Sequence, residues 1–181
     1  MQRARALAAF LVLFRGALAA NPVADEVTAL PGWTDPFRSR VFSGFLAGSD
    51  ATRHVSYFFV ESESPSPSTD RVVVWLNGGP GCSSLIGAWL ENGPLAMGGD
   101  GTLRENAGRW SASNSNVLYL ESPPGVGFSY IDAGAAALPY AANDTTTAAD
   151  SLAALADFFA SFTNLSSSSD LWISGESYAG M

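Results

Sequence analysis

Along this chain the hydrophobic pattern runs with two different periods. Val41-Phe42-Ser43-Gly44-Phe45 and Val55-Ser56-Tyr57-Phe58-Phe59-Val60 are rich in β-branched and aromatic residues, and the polar stretch Gly48-Ser49-Asp50 lies between them. Two such runs around a turn predict a β-hairpin. Val72-Val73-Val74-Trp75-Leu76 and Val117-Leu118-Tyr119-Leu120 are apolar without interruption, which suits strands covered on both faces of a sheet. Between Asp144 and Phe162 the period changes. Ala149, Leu152, Ala156, Phe159 and Phe162 recur at three- and four-residue spacing, and this predicts an amphipathic helix capped by Asp144 or a following threonine. Leu171-Trp172-Ile173 then predicts a final short strand. The order is hairpin, strand, short helix, strand, helix, strand: an α/β sheet entered from an antiparallel edge. Residues 21–38, with Pro22, Pro31, Gly32 and Pro36, read as irregular, and residues 62–70 as a surface loop.

Composition narrows the class. A chain of 181 residues suffices for one domain with a sizeable core. Hydrophobic residues at 47% and charged residues at 14% describe a globular protein rather than a disordered one. A formal charge of −8 argues against binding nucleic acid through a basic surface. The first 20 residues have the build of a secretory signal: Arg3 and Arg5, an apolar core from Ala6 to Phe14, and small residues Ala17 to Ala20 before Asn21-Pro22. That core is far shorter than the roughly 20 residues that span a bilayer. The expected mature chain is therefore 21–181, in the secretory pathway, extracellular or in a vacuole or lysosome. Loss of the segment's three arginines takes the formal charge from −8 to −11. The sequons at Asn143 and Asn164 fit a glycosylated product. Cys82 is the only cysteine, hence either a free thiol or one whose partner is missing.

The chemistry is concentrated in two glycine-containing motifs, each behind an apolar strand. Gly175-Glu176-Ser177-Tyr178-Ala179 follows the last strand. This is the pattern of a nucleophile elbow, in which a serine occupies a strained strand-to-helix turn with its hydroxyl exposed. Acyl transfer also needs backbone N–H groups aimed at the developing oxyanion. In elbow enzymes one belongs to the residue after the serine, here Tyr178, and the other to a glycine-rich loop after the third sheet strand. Asn77-Gly78-Gly79-Pro80-Gly81 stands in that place. The serine further needs a base and an orienting carboxylate, which follow it in chain order in proteins of this build. Within the 181 residues neither an Asp nor a His follows Ser177. The sole histidine, His54, precedes it in the hairpin and is assigned no catalytic role. Asp132, Asp144, Asp150 and Asp170 read as turn and cap residues, and Trp75, Phe128 and Tyr130 either wall a cleft or belong to the core.

Three segments carry a resemblance: Trp75-Leu76-Asn77-Gly78-Gly79-Pro80-Gly81-Cys82-Ser83-Ser84, Glu121-Ser122-Pro123-Pro124-Gly125-Val126-Gly127-Phe128-Ser129-Tyr130, and Gly175-Glu176-Ser177-Tyr178-Ala179-Gly180. From about Val41 to Met181 the chain resembles the serine carboxypeptidase family. The resemblance implies an α/β-hydrolase fold cut after the elbow that follows the fifth strand of the sheet. It implies removal of C-terminal residues from peptides at acidic pH through an acyl-serine, with no metal or cofactor. It makes Ser177 the nucleophile and Gly79 and Tyr178 the oxyanion donors. Asn77, Glu176 and Glu91 become the binders of the substrate's terminal carboxylate. Cys82 in this family forms a disulfide with a cysteine well downstream. An acyltransferase within the same fold is the alternative, since an alcohol or amine can resolve the same intermediate. A non-catalytic secreted protein is the contrasting class. The 181 residues alone are expected to be inactive for want of a base, and poorly soluble because the last strand is an uncovered edge.

Overall fold

The computed structural model describes residues 20–133, 142–166 and 170–180. Apart from Ala20, the predicted signal segment lies outside the described residues. The hairpin is β1 (Val41–Ala47) and β2 (Arg53–Val60), paired antiparallel with Val41 opposite Val60 and Ala47 opposite His54. β3 (Arg71–Leu76) follows, then a short hairpin of β4 (Leu95–Met97) and β5 (Leu103–Glu105), then β6 (Ser115–Leu120) and β7 (Tyr130–Ile131). The helices α1 (Asp144–Ser161) and α2 (Thr163–Ser166) lead into β8 (Leu171–Gly175). The strand order of the main sheet is β1-β2-β6-β3-β8, with β7 paired to β2. β2 meets β6 antiparallel, whereas β3 lies parallel to both β6 and β8. The antiparallel entry and the parallel interior are those expected, and the elbow follows the fifth strand of the path. The β4–β5 pair was not legible in the sequence: three-residue strands carry too little period to be seen.

The uninterrupted apolar runs are explained by cover on both faces. Val55, Tyr57 and Phe59 of β2, Val72 and Val74 of β3, and Leu118 and Leu120 of β6 pack with Ala154, Phe158, Phe162 and Leu165 of the helical layer. Their alternates Phe58, Val60, Trp75, Val117 and Tyr119 form a second cluster with Ala88, flanked by Trp89 and Trp110. Strand side chains alternate between faces, so a strand buried on both sides has no polar positions to spare.

The helix is where expected, but its buried face differs. Asp150, Ala154 and Phe158 are the buried positions, while Leu152 is 66% exposed. An aspartate occupies a core-facing position of this helix because its partners Ser49 and Arg53 meet it there. Asp150 is not a cap. It is fully buried and accepts hydrogen bonds from Ser49 N (2.9 Å) and Ser49 Oγ (2.5 Å), and it pairs with Arg53 at 3.0 Å. The helix thus grips the β1–β2 turn. Its cap is Asn143, one residue before the predicted one, and Asn143 and Thr146 form a reciprocal capping box. The loop at 62–70 lies on the surface but is tied down, because Asn116 Nδ2 donates to Pro67 O at 2.8 Å. At the other edge of the sheet, Leu171, Trp172 and Ile173 of β8 are 43%, 58% and 65% exposed.

Candidate active site

β8 ends at Gly175, and the chain turns sharply into a single 3-10 turn, Ser177–Gly180. Ser177 has φ = +55°, a left-handed conformation that costs a residue with a Cβ about 1 kcal/mol or more. The turn is so tight that a Cβ on Gly175 would stand 2.7 Å from Ala179 Cβ. This is the physical reason for small residues on both sides of the serine. Ser177 itself is exposed.

The glycine loop after β3 packs directly on this elbow. A Cβ on Gly78 would lie 2.6 Å from Glu176 O, 2.8 Å from Tyr178 N and 3.0 Å from Ser177 Cβ. Only glycine lets the two backbones approach so closely. Gly79 follows with φ = +116°. The parallel register of β3 and β8, with Leu76 opposite Gly175, brings both strands to an end side by side. Cys82 is exposed, and its backbone N donates to Gly78 O at 3.0 Å.

Asn77 is the hub of a polar group beside the elbow. Its carbonyl oxygen accepts from Trp75 Nε1 at 2.8 Å and from Gly87 N at 3.0 Å. With that oxygen occupied, the amide nitrogen is turned toward two carboxylates. It donates to Glu176 Oε2 at 3.0 Å and to Glu91 Oε1 at 3.3 Å. Glu91 closes a π-helical turn, Gly87–Glu91, in which Asn92 N donates to Gly87 O at 2.9 Å. A Cβ on Gly87 would lie 2.2 Å from Trp75 Nε1, so glycine there admits the indole to Asn77. Asn77, Glu91 and Glu176, which span 99 positions in the chain, therefore meet in one group with Ser177 next to Glu176. Trp75 contributes its N–H here and its ring to the core, where it meets Trp110 edge-on.

Other candidates fall outside this group. His54 is buried, stacked on Tyr130 at 4.4 Å, with Nε2 and Asp132 Oδ1 3.1 Å apart. It is a packing residue. Phe128 is 69% exposed and so is not core, while Tyr130 is 38% exposed. Asn143 and Asn164 are exposed. Asn143 uses Oδ1 to cap Thr146 N at 3.0 Å, which leaves Nδ2 uncommitted to the cap. A cavity of about 320 Å³ lined by Trp33, Phe37, Arg38, Pro94 and Leu95 contains no residue of the elbow group.

Glu121 and Asp144 make contacts that their place in the sequence does not show. Glu121 is fully buried, takes the hydroxyl of Ser83, and accepts from Phe128 N at 2.7 Å. It joins the glycine loop to the loop at 121–130. Gly127 is required beside it, since a Cβ there would fall 1.9 Å from Glu121 Oε2. Asp144, read as a cap, instead accepts from the Tyr178 hydroxyl at 2.9 Å.

Comparison with known proteins bears on the whole arrangement. The serine carboxypeptidase family model matches residues 31–181. The chain is 46% identical over 163 residues to the lysosomal protective protein of Mus musculus, covering 90% of this chain and 33% of that protein. It is 41% identical over 165 residues to serine carboxypeptidase-like 21 of Arabidopsis thaliana, covering 88% of this chain and 32% of that protein. In structure it resembles Kex1(delta)p, a prohormone-processing carboxypeptidase from Saccharomyces cerevisiae, with a TM-score of 0.73 and 25% identity over 89% of this chain and 37% of that one. The chain spans about a third of the length of the relatives it matches. With its sheet order, its elbow and its sequence all in agreement, this chain has the α/β-hydrolase fold and belongs to the serine carboxypeptidase family.

Proposed function

We propose that this chain supplies the nucleophile, the oxyanion site and the carboxylate-binding group of a secretory-pathway serine carboxypeptidase, with the triad acid and base contributed from outside the 181 residues. Ser177 Oγ attacks the carbonyl carbon of the C-terminal peptide bond and gives its proton to the base. The N–H groups of Gly79 and Tyr178 receive the oxyanion. The C–N bond then breaks, the proton passes to the leaving amine, and a free amino acid departs. Water hydrolyses the ester on Ser177 and restores the hydroxyl.

The observation that carries this reading is the group Asn77, Glu91 and Glu176 beside the serine. A substrate carboxylate needs donors, and Asn77 offers an NH₂ whose orientation is set by Trp75 and Gly87. A group selecting a free carboxylate favours the peptidase over an acyltransferase.

The test compares the polypeptide encoded by the whole reading frame with its Ser177→Ala variant, on one peptide with a free and one with an amidated C-terminus. Release of the terminal residue should fall by roughly 10⁴-fold or more in Ser177→Ala, and the amidated peptide should be a poor substrate of the wild type. Equal rates on the two peptides would refute the carboxylate-binding assignment.

A further inference from the structure

The elbow is held by few side chains, and one of the holds has no part in the chemistry above. The turn Ser177–Gly180 is a single 3-10 turn following a left-handed serine. Gly175 and Gly180 have no side chain with which to anchor it, and Ser177 must keep its hydroxyl free. Two side chains tie it to the rest of the fold: Glu176, to Asn77, and Tyr178, whose hydroxyl donates to Asp144 Oδ1 at 2.9 Å. Tyr178 is the residue whose backbone N–H would face the oxyanion.

Asp144 stands on a rigid base. It opens α1, an 18-residue helix, behind the capping box of Asn143 and Thr146. The N-terminus of a helix carries partial positive charge and favours a carboxylate in its first turn. Further along, Asp150 is anchored to Ser49 and Arg53, and Asp157 Oδ2 accepts from Ala47 N at 2.9 Å. Ser151 Oγ lies 2.8 Å from Ser122 Oγ, and Phe158 is fully buried against the sheet. A helix pinned to the sheet at these points presents Asp144 at a fixed place. The phenolic hydroxyl is the outermost atom of a stiff ring, so bonding it fixes the direction of the whole side chain.

We propose that Asp144 is a positioning residue: through the Tyr178 hydroxyl it sets the orientation of the turn that carries the oxyanion N–H after Ser177. The inference rests on the assignment of Ser177 as nucleophile. The hydroxyl of Tyr178 is held above the ordinary tyrosine range by its bond to Asp144 and by that residue's charge, a signature that can be read without any activity.

The experiment has two readouts on the wild type and on Tyr178→Phe, Asp144→Ala and the double variant. In the enzyme encoded by the whole reading frame, ultraviolet titration of tyrosinate, taken as the difference from Tyr178→Phe, should show one tyrosine ionising above the ordinary range. In Asp144→Ala that tyrosine should return to it. In the enzyme encoded by the whole reading frame, each single variant should lower kcat by about 3- to 10-fold, the worth of one hydrogen bond, with KM within about 2-fold. The double variant should be no slower than either single, because both remove the same tether. Multiplied losses in the double variant, an unchanged kcat, or an unshifted tyrosine titration would each overturn the proposal. If Ser177→Ala retained full activity, the nucleophile assignment would fail instead, and the titration would still report on the tether.

Discussion

Two acidic regions of this molecule solve the same problem in opposite ways. At one corner Glu63 and Glu105 face Arg109 and Arg38: Arg109 reaches Glu63 at 2.5 and 2.9 Å and Glu105 at 3.2 Å, and Arg38 reaches Glu105 at 2.9 Å. Each carboxylate has a guanidinium, and Arg109 holds the Glu63 carboxyl below its usual range. Among the described residues, none of the ion pairs includes Glu91, Glu121 or Glu176. Those carboxylates are held by neutral donors: the Asn77 amide, the Ser83 hydroxyl and the Phe128 N–H. A charged partner satisfies a carboxylate completely and locks it as structure. A neutral donor leaves it able to exchange its hydrogen bonds for those of a ligand.

Breaking a paired carboxylate in the core should have the largest effect. Asp150 is fully buried and binds both Ser49 and Arg53, so Asp150→Ala leaves Arg53 with its second carboxylate, Asp50 at 2.9 Å, and frees the β1–β2 turn from the helix. Loss of the Ser49 hydrogen bonds to this carboxylate should cost about 3 kcal/mol in denaturant unfolding. A loss below 1 kcal/mol would show that the turn does not depend on the helix.

At the unpaired region the effect should be on binding rather than folding. Asn77→Asp keeps an oxygen for Trp75 and Gly87 but removes the two N–H donors and adds a third negative charge. KM for a peptide with a free C-terminus should rise about 30-fold, roughly 2 kcal/mol, while that for the peptide with an amidated C-terminus changes little. An equal rise for both substrates would place Asn77 in general support of the loop.

The smallest effect belongs to the arginine corner. Arg109→Ala should cost about 1–2 kcal/mol at pH 7, and the cost should depend on pH. Because the folded-state value of Glu63 is lowered, its contribution is fully present above the ordinary glutamate value of about 4.3. It disappears as pH falls through the lowered folded value. Urea melts of wild type and variant should therefore converge toward pH 3. A constant difference from pH 7 to pH 3 would mean that lost packing, not the ion pair, is what the variant reports.

How far the molecule could be read in advance follows the same division. The hairpin, the two buried strands, the helix and the elbow were legible because each is written in a local period or in glycines at fixed offsets. Gly175 and Gly78 in particular were visible as motif residues, and the structure adds the close approaches that exclude any side chain there. The buried face of α1 was misread, because Asp150 belongs inside only in the presence of Ser49 and Arg53, about a hundred residues earlier. Glu121 and the hydrogen bond of Asp144 were missed for the same reason, their partners lying far away in sequence.

By itself, then, the chain of residues determined the order of the longer elements, the two glycine motifs and the family, since backbone conformation and hydrophobic period are short-range properties. Only the tertiary structure decided which polar groups share a hydrogen bond. Those distances depend on strand register and helix placement, and these are settled by the packing of both sheet faces at once. The parallel register that ends β3 beside β8 is what turns Asn77, Glu91 and Glu176 from three separate residues into one group beside Ser177.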